Sequence, residues 1–303
     1  TQQVGVSEDA RLNIETSALS LNGIDGDVYI AQNGTLQINA LSTTDANVDL
    51  LVDGSVNSTA ALESNGSLSI ELENQGSITL NNMANRLTGE LRFIAENGSV
   101  SLSNSSTNLR EVTAVNLNIT ALLNVADSGV LTVTEDTVIT GTENTNVAFD
   151  NPGNDFDDFT VDNANSVLIN DDGVQALTVT ATQIQNALNI DAESDIRTNT
   201  VSAGSVTLTS ASGAVTIEDV LSSTNFVLIN SDGVNVNASI VVNNNQSGDA
   251  ININSNESAL SIFANINALG LTNGDVVLAG QSITQQASAL ISGDNVVMSA
   301  DLA

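Results

Sequence analysis

The segment Val167-Leu168-Ile169-Asn170-Asp171-Asp172-Gly173-Val174 returns as Val227-Leu228-Ile229-Asn230-Ser231-Asp232-Gly233-Val234, 227 − 167 = 60 residues later. A second pair behaves alike. Residues 29–38, Tyr-Ile-Ala-Gln-Asn-Gly-Thr-Leu-Gln-Ile, are echoed by residues 93–102, Phe-Ile-Ala-Glu-Asn-Gly-Ser-Val-Ser-Leu, at 93 − 29 = 64. Self-similarity at a fixed spacing constrains architecture more than any local propensity. An interval of 60 reads as three turns of a solenoid at roughly 20 residues per turn.

The local pattern agrees. A glycine, a small or acidic residue and then alternating apolar and polar residues recur from end to end. Examples are Gly34-Thr35-Leu36-Gln37-Ile38, Gly76-Ser77-Ile78-Thr79-Leu80, Gly98-Ser99-Val100-Ser101-Leu102 and Gly204-Ser205-Val206-Thr207-Leu208. Period-two alternation sends one set of side chains inward and the other outward. Val206 and Leu208 are therefore expected inside, and Thr207 and Thr209 outside. The strands read as four to five residues long, separated by Gly, Asn, Asp and Ser corners. Within residues 108–124 the segment Val112 to Ile119 also alternates, and the run reads as strand, not helix. Aromatics make up 2% of the chain, so the core must come from thin layers of Val, Ile, Leu and Ala. Immunoglobulin-like repeats would recur at about 100 residues with large core rings. A left-handed β-helix would need a strict six-residue beat. Neither is present. The fold expected is all-β: a right-handed parallel β-helix with roughly 20 residues per coil and uneven coil lengths. At ~4.8 Å between strands, such a rod would be roughly 70 Å long. Residues 1–303 read as a single elongated β-helix, with residues 142–158, which hold Pro152 and clustered acids, as a protruding acidic loop. The opening Thr1-Gln2-Gln3-Val4 reads as a piece of something longer or a processed product.

Charge narrows the function classes. There are 36 Asp and Glu against five Lys and Arg, a net charge of −31, with no His and no Cys. The five bases are Arg11, Arg86, Arg92, Arg110 and Arg197. Phosphate backbones and anionic membrane surfaces need a basic footprint, so nucleic acid and membrane insertion are not expected. No window reaches ~18 consecutive apolar residues.

On these residues the chain resembles the repeat region of filamentous-haemagglutinin-type adhesins, the large exoproteins of bacterial two-partner secretion. The resemblance rests on the run from Asn154-Asp155-Phe156 through Val167-Leu168-Ile169-Asn170-Asp171-Asp172-Gly173 to Leu177-Thr178-Val179, repeated in part from Asn225-Phe226 to Val234. It covers residues 90–300, and more weakly the first 90. It implies a right-handed β-helix, export through an outer-membrane transporter, an extracellular location on the bacterial outer surface, and a structural and adhesive role in cell-surface, matrix or biofilm attachment. The partner implied is an extracellular polysaccharide or a cell-surface receptor. The family's secretion domain with its Asn-Pro-Asn motifs is not in these 303 residues, so the export route is carried by resemblance alone.

Asp150, Asp155, Asp157 and Asp158, with Asp162 nearby, supply the carboxylates that Ca²⁺ takes. They lack the ordered positions of a known calcium loop, and a solvated acidic corner is the favoured reading; no other cofactor is expected. Asp157-Asp158 and Asp171-Asp172 bring to mind the paired acids of glycoside hydrolysis. Adjacent strand residues face opposite ways, however, and the missing His and Lys leave little acid–base inventory. The expectation is no enzyme, with a carbohydrate-acting β-helix lyase or hydrolase as the alternative. A lateral cleft lined by acids together with rings or Arg would favour that alternative. Thr132/Thr134, Thr178/Thr180 and Thr207/Thr209 form no ladder at one period. Asn33, Asn57, Asn65, Asn97, Asn118, Asn237 and Asn256 open Asn-x-Ser/Thr triplets.

Overall fold

The structure is a computed structural model that describes residues 3–243, 248–269 and 274–300. The chain divides into two compact units at Phe156/Asp157. Both are parallel β-solenoids, and the described residues contain no helix. None of them therefore forms a helix long and apolar enough to cross a membrane.

In the first unit the ladder runs Val28–Val48–Leu68–Leu91. Beside it runs Ile30–Leu50–Ile70–Phe93–Val112–Leu131. The next face stacks Leu36–Val56–Ile78–Val100–Leu117. These inward side chains are essentially inaccessible to solvent. In the second unit one column reads Val167–Leu188–Val206–Val227–Ile251–Val276–Val296. The repeated Val-Leu-Ile-Asn segments thus lie on one face, three coils apart, as the interval of 60 requires. Each coil feeds three ladders. Val206 and Leu208, then Val215 and Ile217, then Leu221 and Ser223 belong to different ones.

The second echo holds only in part. Leu36 reaches Val100 in three steps, at 100 − 36 = 64. Phe93, however, stacks on Ile30, at 93 − 30 = 63, and Tyr29 shares its row with Arg92. Tyr29 points outward while Phe93 is buried. The aromatic-Ile-Ala string looks alike in both places but is displaced by one residue, which reverses its facing.

Coil lengths vary as expected, with ladder steps as short as 117 − 100 = 17 and as long as 266 − 240 = 26 residues. Strands are longer than the pattern suggested, up to the 16 residues of Leu177–Ala192, because ladder pairing resumes directly after each corner. Asn163 and Gln183 make such corners in the left-handed region, at φ 61° and 58°. They occupy equivalent places, since Asp162 pairs with Thr182 and Ala164 with Ile184. Residues 107–121 are strand, as the alternation indicated. The protruding loop foreseen at 142–158 is not one: Asn146–Phe149 is a strand, and Asp155 begins the strand Asp155–Ala164. Val147, Phe149 and Phe156 turn inward there, and Phe149 stacks on Phe156 with ring centroids 5.9 Å apart. Burying these apolar side chains holds the stretch against the solenoid, despite its acids.

At one corner the recurring glycine has a steric cause. Gly34, Gly54, Gly76 and Gly98 succeed one another along a corner, and a Cβ on Gly98 would stand 1.5 Å from the carbonyl oxygen of Gly76. Parallel coils about 4.8 Å apart leave no room for it. At other corners buried asparagines replace ladder bonds. Asn85 accepts from Leu62 N–H at 2.9 Å and donates to the carbonyls of Leu80 and Ser103, both at 2.9 Å. Asn104 accepts from Leu87 N–H at 3.2 Å and donates to the Leu87 carbonyl at 2.8 Å.

Three consequences are measurable by urea unfolding. Gly98→Ala should cost more than about 2 kcal/mol, whereas Gly23→Ala, with open space but φ 64°, should cost about 1 kcal/mol. Leu208→Asp places a charge in the core and should disrupt its own and adjoining coils, while Thr207→Ala should change stability by less than about 0.5 kcal/mol. Thr198 stands in an apolar column between Val179 and Ile217 with its hydroxyl buried and no protein partner. Thr198→Val should therefore raise the midpoint, by about 1 kcal/mol of stability.

Candidate functional site

The outward rows decide what each unit presents. In the second unit one row reads Leu168, Asn189, Thr207, Leu228, Asn252, Val277, Val297. Its neighbour reads Asn170, Asp191, Thr209, Asn230, Asn254, Ala279, Ser299. In these two rows the threonines Thr207 and Thr209 have no threonine on the neighbouring strands. Asn254 Nδ2 donates to Asn230 Oδ1 at 3.3 Å, so amides on successive coils bond to one another along the face.

The first unit differs. Its outward row is Tyr29, Asp49, Ser69, Arg92, Glu111. Arg11, which precedes the Leu12 partner of Ile30, reaches across to Asp49 with Nη2–Oδ1 2.6 Å and Nε–Oδ1 2.9 Å. Arg92 lies between two carboxylates, with Nη1–Glu71 Oε2 2.8 Å and Nε–Glu111 Oε2 2.6 Å. Partial burial opposes its charge, but the hydrogen bonds and fields of Glu71 and Glu111 outweigh that and hold its pKa above the ordinary arginine value. The Tyr29 phenol is also pushed up, by desolvation and then by Asp27, Glu8 and Asp49.

Arg110 owes its position to a bulge. The ladder slips by one residue between Leu91 and Arg92, so Leu91 pairs with Leu109 but Arg92 with Glu111, and Arg110 is the extra residue. Such bulges re-aim a side chain. Glycine is required one coil on, since a Cβ on Gly129 would lie 1.9 Å from the Arg110 carbonyl oxygen. Among the described residues Arg110 makes no ion pair. Glu8, Arg11, Asp49, Ser69, Glu71, Arg92 and Arg110 line a recess of about 180 Å³. Three of the chain's five cations thus meet in one place, a grouping invisible in sequence because they come from separate coils.

Two wider depressions carry no cation. In the first unit, Asn13, Glu15, Gln32, Asn33, Asp53 and Glu73 are among the residues around a groove of about 550 Å³. In the second, Asp195, Ser212, Gly213, Asp232, Ser258 and Ser261 are among those around one of about 470 Å³.

The acids singled out from sequence are placed individually as follows. Asp150 is exposed at a turn, Asp155 and Asp157 are half-buried, and Asp158 is exposed. Among the described residues no group of three or more Asp or Glu side chains converges closely enough to hold a metal ion. Asp171 is buried and Asp172 exposed, so alternation separates that pair, whereas neither Asp157 nor Asp158 is buried. Of the Asn-x-Ser/Thr asparagines, Asn33, Asn65, Asn97, Asn118, Asn237 and Asn256 are exposed and Asn57 is half-buried.

The acid that organises this region is Asp127, which pattern reading passed over because no neighbouring acid marks it. Its Oδ2 accepts from Asn154 Nδ2 at 2.7 Å and Asn151 N–H at 3.2 Å, and its Oδ1 from Asp150 N–H at 3.0 Å. Buried Asn154 in turn accepts from Leu131 N–H at 2.8 Å. Asp127 thus fastens the turn containing Pro152 to the coil before it. Burial pushes its carboxyl above the usual carboxylate range, against the lowering effect of these three bonds.

Comparison with known proteins adds one match. The model of a family described as "Repeats of unknown function (DUF5649)" fits twice, over residues 25–93 and 97–163. The two stretches together cover less than half of the chain. No curated protein and no solved structure matches. The repeats and the parallel solenoid agree with each other, and neither carries a link to filamentous haemagglutinin or to two-partner secretion.

Asp127→Ala should cost about 1–3 kcal/mol in urea unfolding, because it strands buried donors. The folded carboxyl holds its proton more tightly than the unfolded one. Its contribution to stability therefore falls as pH rises from the ordinary carboxylate range through its raised pKa. The difference between wild-type and Asp127→Ala stability profiles across that interval should show this slope.

Proposed function

We propose that this chain is a structural and adhesive segment of a bacterial surface exoprotein, carried to the outer surface through an outer-membrane transporter and holding to extracellular polysaccharide or a cell-surface receptor. The observation that carries the reading is the outward rows. Asn170, Asp191, Thr209, Asn230 and Asn254 occupy one lateral position on five successive strands of the second unit, and Asn254 is bonded to Asn230 on the coil before it. A repeated, pre-ordered polar face suits multiple weak contacts that add through effective concentration. The strong negative charge keeps such a surface dispersed and unreactive toward nucleic acid.

The carbohydrate-acting enzyme remains the second reading, since the recess around Arg92 does combine acids with Arg. Against it, two of the three guanidinium groups there are already held by Asp49, Glu71 and Glu111, and the wider groove offers carboxylates and amides without a ring or a cation.

Beads coated with the chain should bind bacterial or host cells several-fold above albumin-coated beads and release no reducing ends from polysaccharide. Binding at the albumin level would remove the adhesive reading, and steady release of reducing ends would establish the enzymatic one.

A further inference from the structure

In a chain of net charge −31, the recess on the first unit is locally balanced: Arg11, Arg92 and Arg110 face Glu8, Asp49 and Glu71. A bare anion there meets three carboxylates, and a bare cation meets three guanidinium groups. A ligand whose every group both donates and accepts gains from both. The chain's one tyrosine stands in the same outward row, one coil from Asp49. Its ring offers an apolar face beside the polar recess.

The recess is also built. Arg92 is fixed between Glu71 and Glu111, and Arg11 by Asp49, so their remaining donors are pre-aimed. Arg110 is set there by the bulge, with Gly129 making room for its backbone, and among the described residues its guanidinium makes no ion pair. A volume of about 180 Å³ is smaller than a typical drug-sized cleft, as suits one ring of a longer chain lying along the face.

We propose that this recess, with Tyr29 beside it, is a saccharide-binding subsite that takes one sugar residue of a polysaccharide. Arg110 and Arg92 donate to its hydroxyl or carboxylate oxygens, Glu8 and Glu71 accept from its hydroxyls, and Tyr29 packs against its ring. The proposal rests on the adhesive reading and gives it a location and a ligand class.

The chain has no tryptophan, so tyrosine emission reports on Tyr29 alone. Cellohexaose and maltohexaose form a neutral arm, and hexagalacturonate and hexamannuronate an acidic arm, each titrated by calorimetry and by tyrosine fluorescence. At least one hexasaccharide should bind and alter the emission. Affinity should weaken about tenfold or more in Arg110→Ala, and change less than about twofold in Arg197→Ala, which alters net charge equally from an exposed place in the second unit. Among the described residues Arg110 has no ion pair to lose, so the wild-type urea midpoint should be retained. Binding in the acidic arm that falls with salt would assign a uronate, and salt-insensitive binding in the neutral arm a neutral sugar. If no hexasaccharide binds, or if binding leaves the emission unchanged and survives Arg110→Ala, the subsite is refuted. Cell adhesion by coated beads in that case would leave the broader reading standing.

Discussion

Parallel stacking of the backbone on itself is the constraint from which the rest follows. Each coil bonds to the next through evenly spaced ladders, so a side chain is always succeeded, about 4.8 Å on, by its counterpart. Inside, that forces layers of matched thickness, and Val, Ile and Leu fill them without large rings in most coils. At the corners it forces the glycine column 34–54–76–98, where backbone meets backbone. Where a ladder bond is interrupted, a side-chain amide must take over, which explains why Asn85, Asn104 and Asn154 are buried despite their polarity.

Much of this was legible in the residues, and the limits are instructive. The 60-residue return of Val-Leu-Ile-Asn translates directly into the steps 167, 188, 206 and 227. Alternation correctly placed Val206 and Leu208 inside. It failed where one residue mattered, setting Tyr29 against Phe93 when the ladder sets it against Arg92. Similar strings can face opposite ways after a one-residue slip, and composition does not record which. The stretch 142–158 misled for a related reason. Its acids and Pro152 suggest a solvated loop, yet Val147, Phe149 and Phe156 in the same stretch supply inward positions that hold it in strand geometry.

The candidate site was less legible than the fold. Arg11, Asp49, Glu71, Arg92 and Glu111 are separated by about one coil or more in sequence and become neighbours only through register. Acid clustering along the sequence pointed instead to Asp150, Asp155, Asp157 and Asp158. In a solenoid, residues close in sequence diverge to different faces, while residues one coil apart converge. The same rule explains Asp127, which lies 154 − 127 = 27 residues from the Asn154 it bonds. Sequence proximity is a poor guide to polar chemistry in such a fold, and periodicity a good one.

Along one column of the second unit the steps differ by as much as seven residues, 25 against 18, yet Val206, Val227, Ile251 and Val276 stay in line. The surplus is taken up at bends between ladders, where register shifts interrupt the pairing without displacing the next face. Such a design separates the part that must be regular from the part that is free to grow. A lineage can lengthen a bend, or an engineer can splice a foreign peptide into one, and display new chemistry on an unaltered frame.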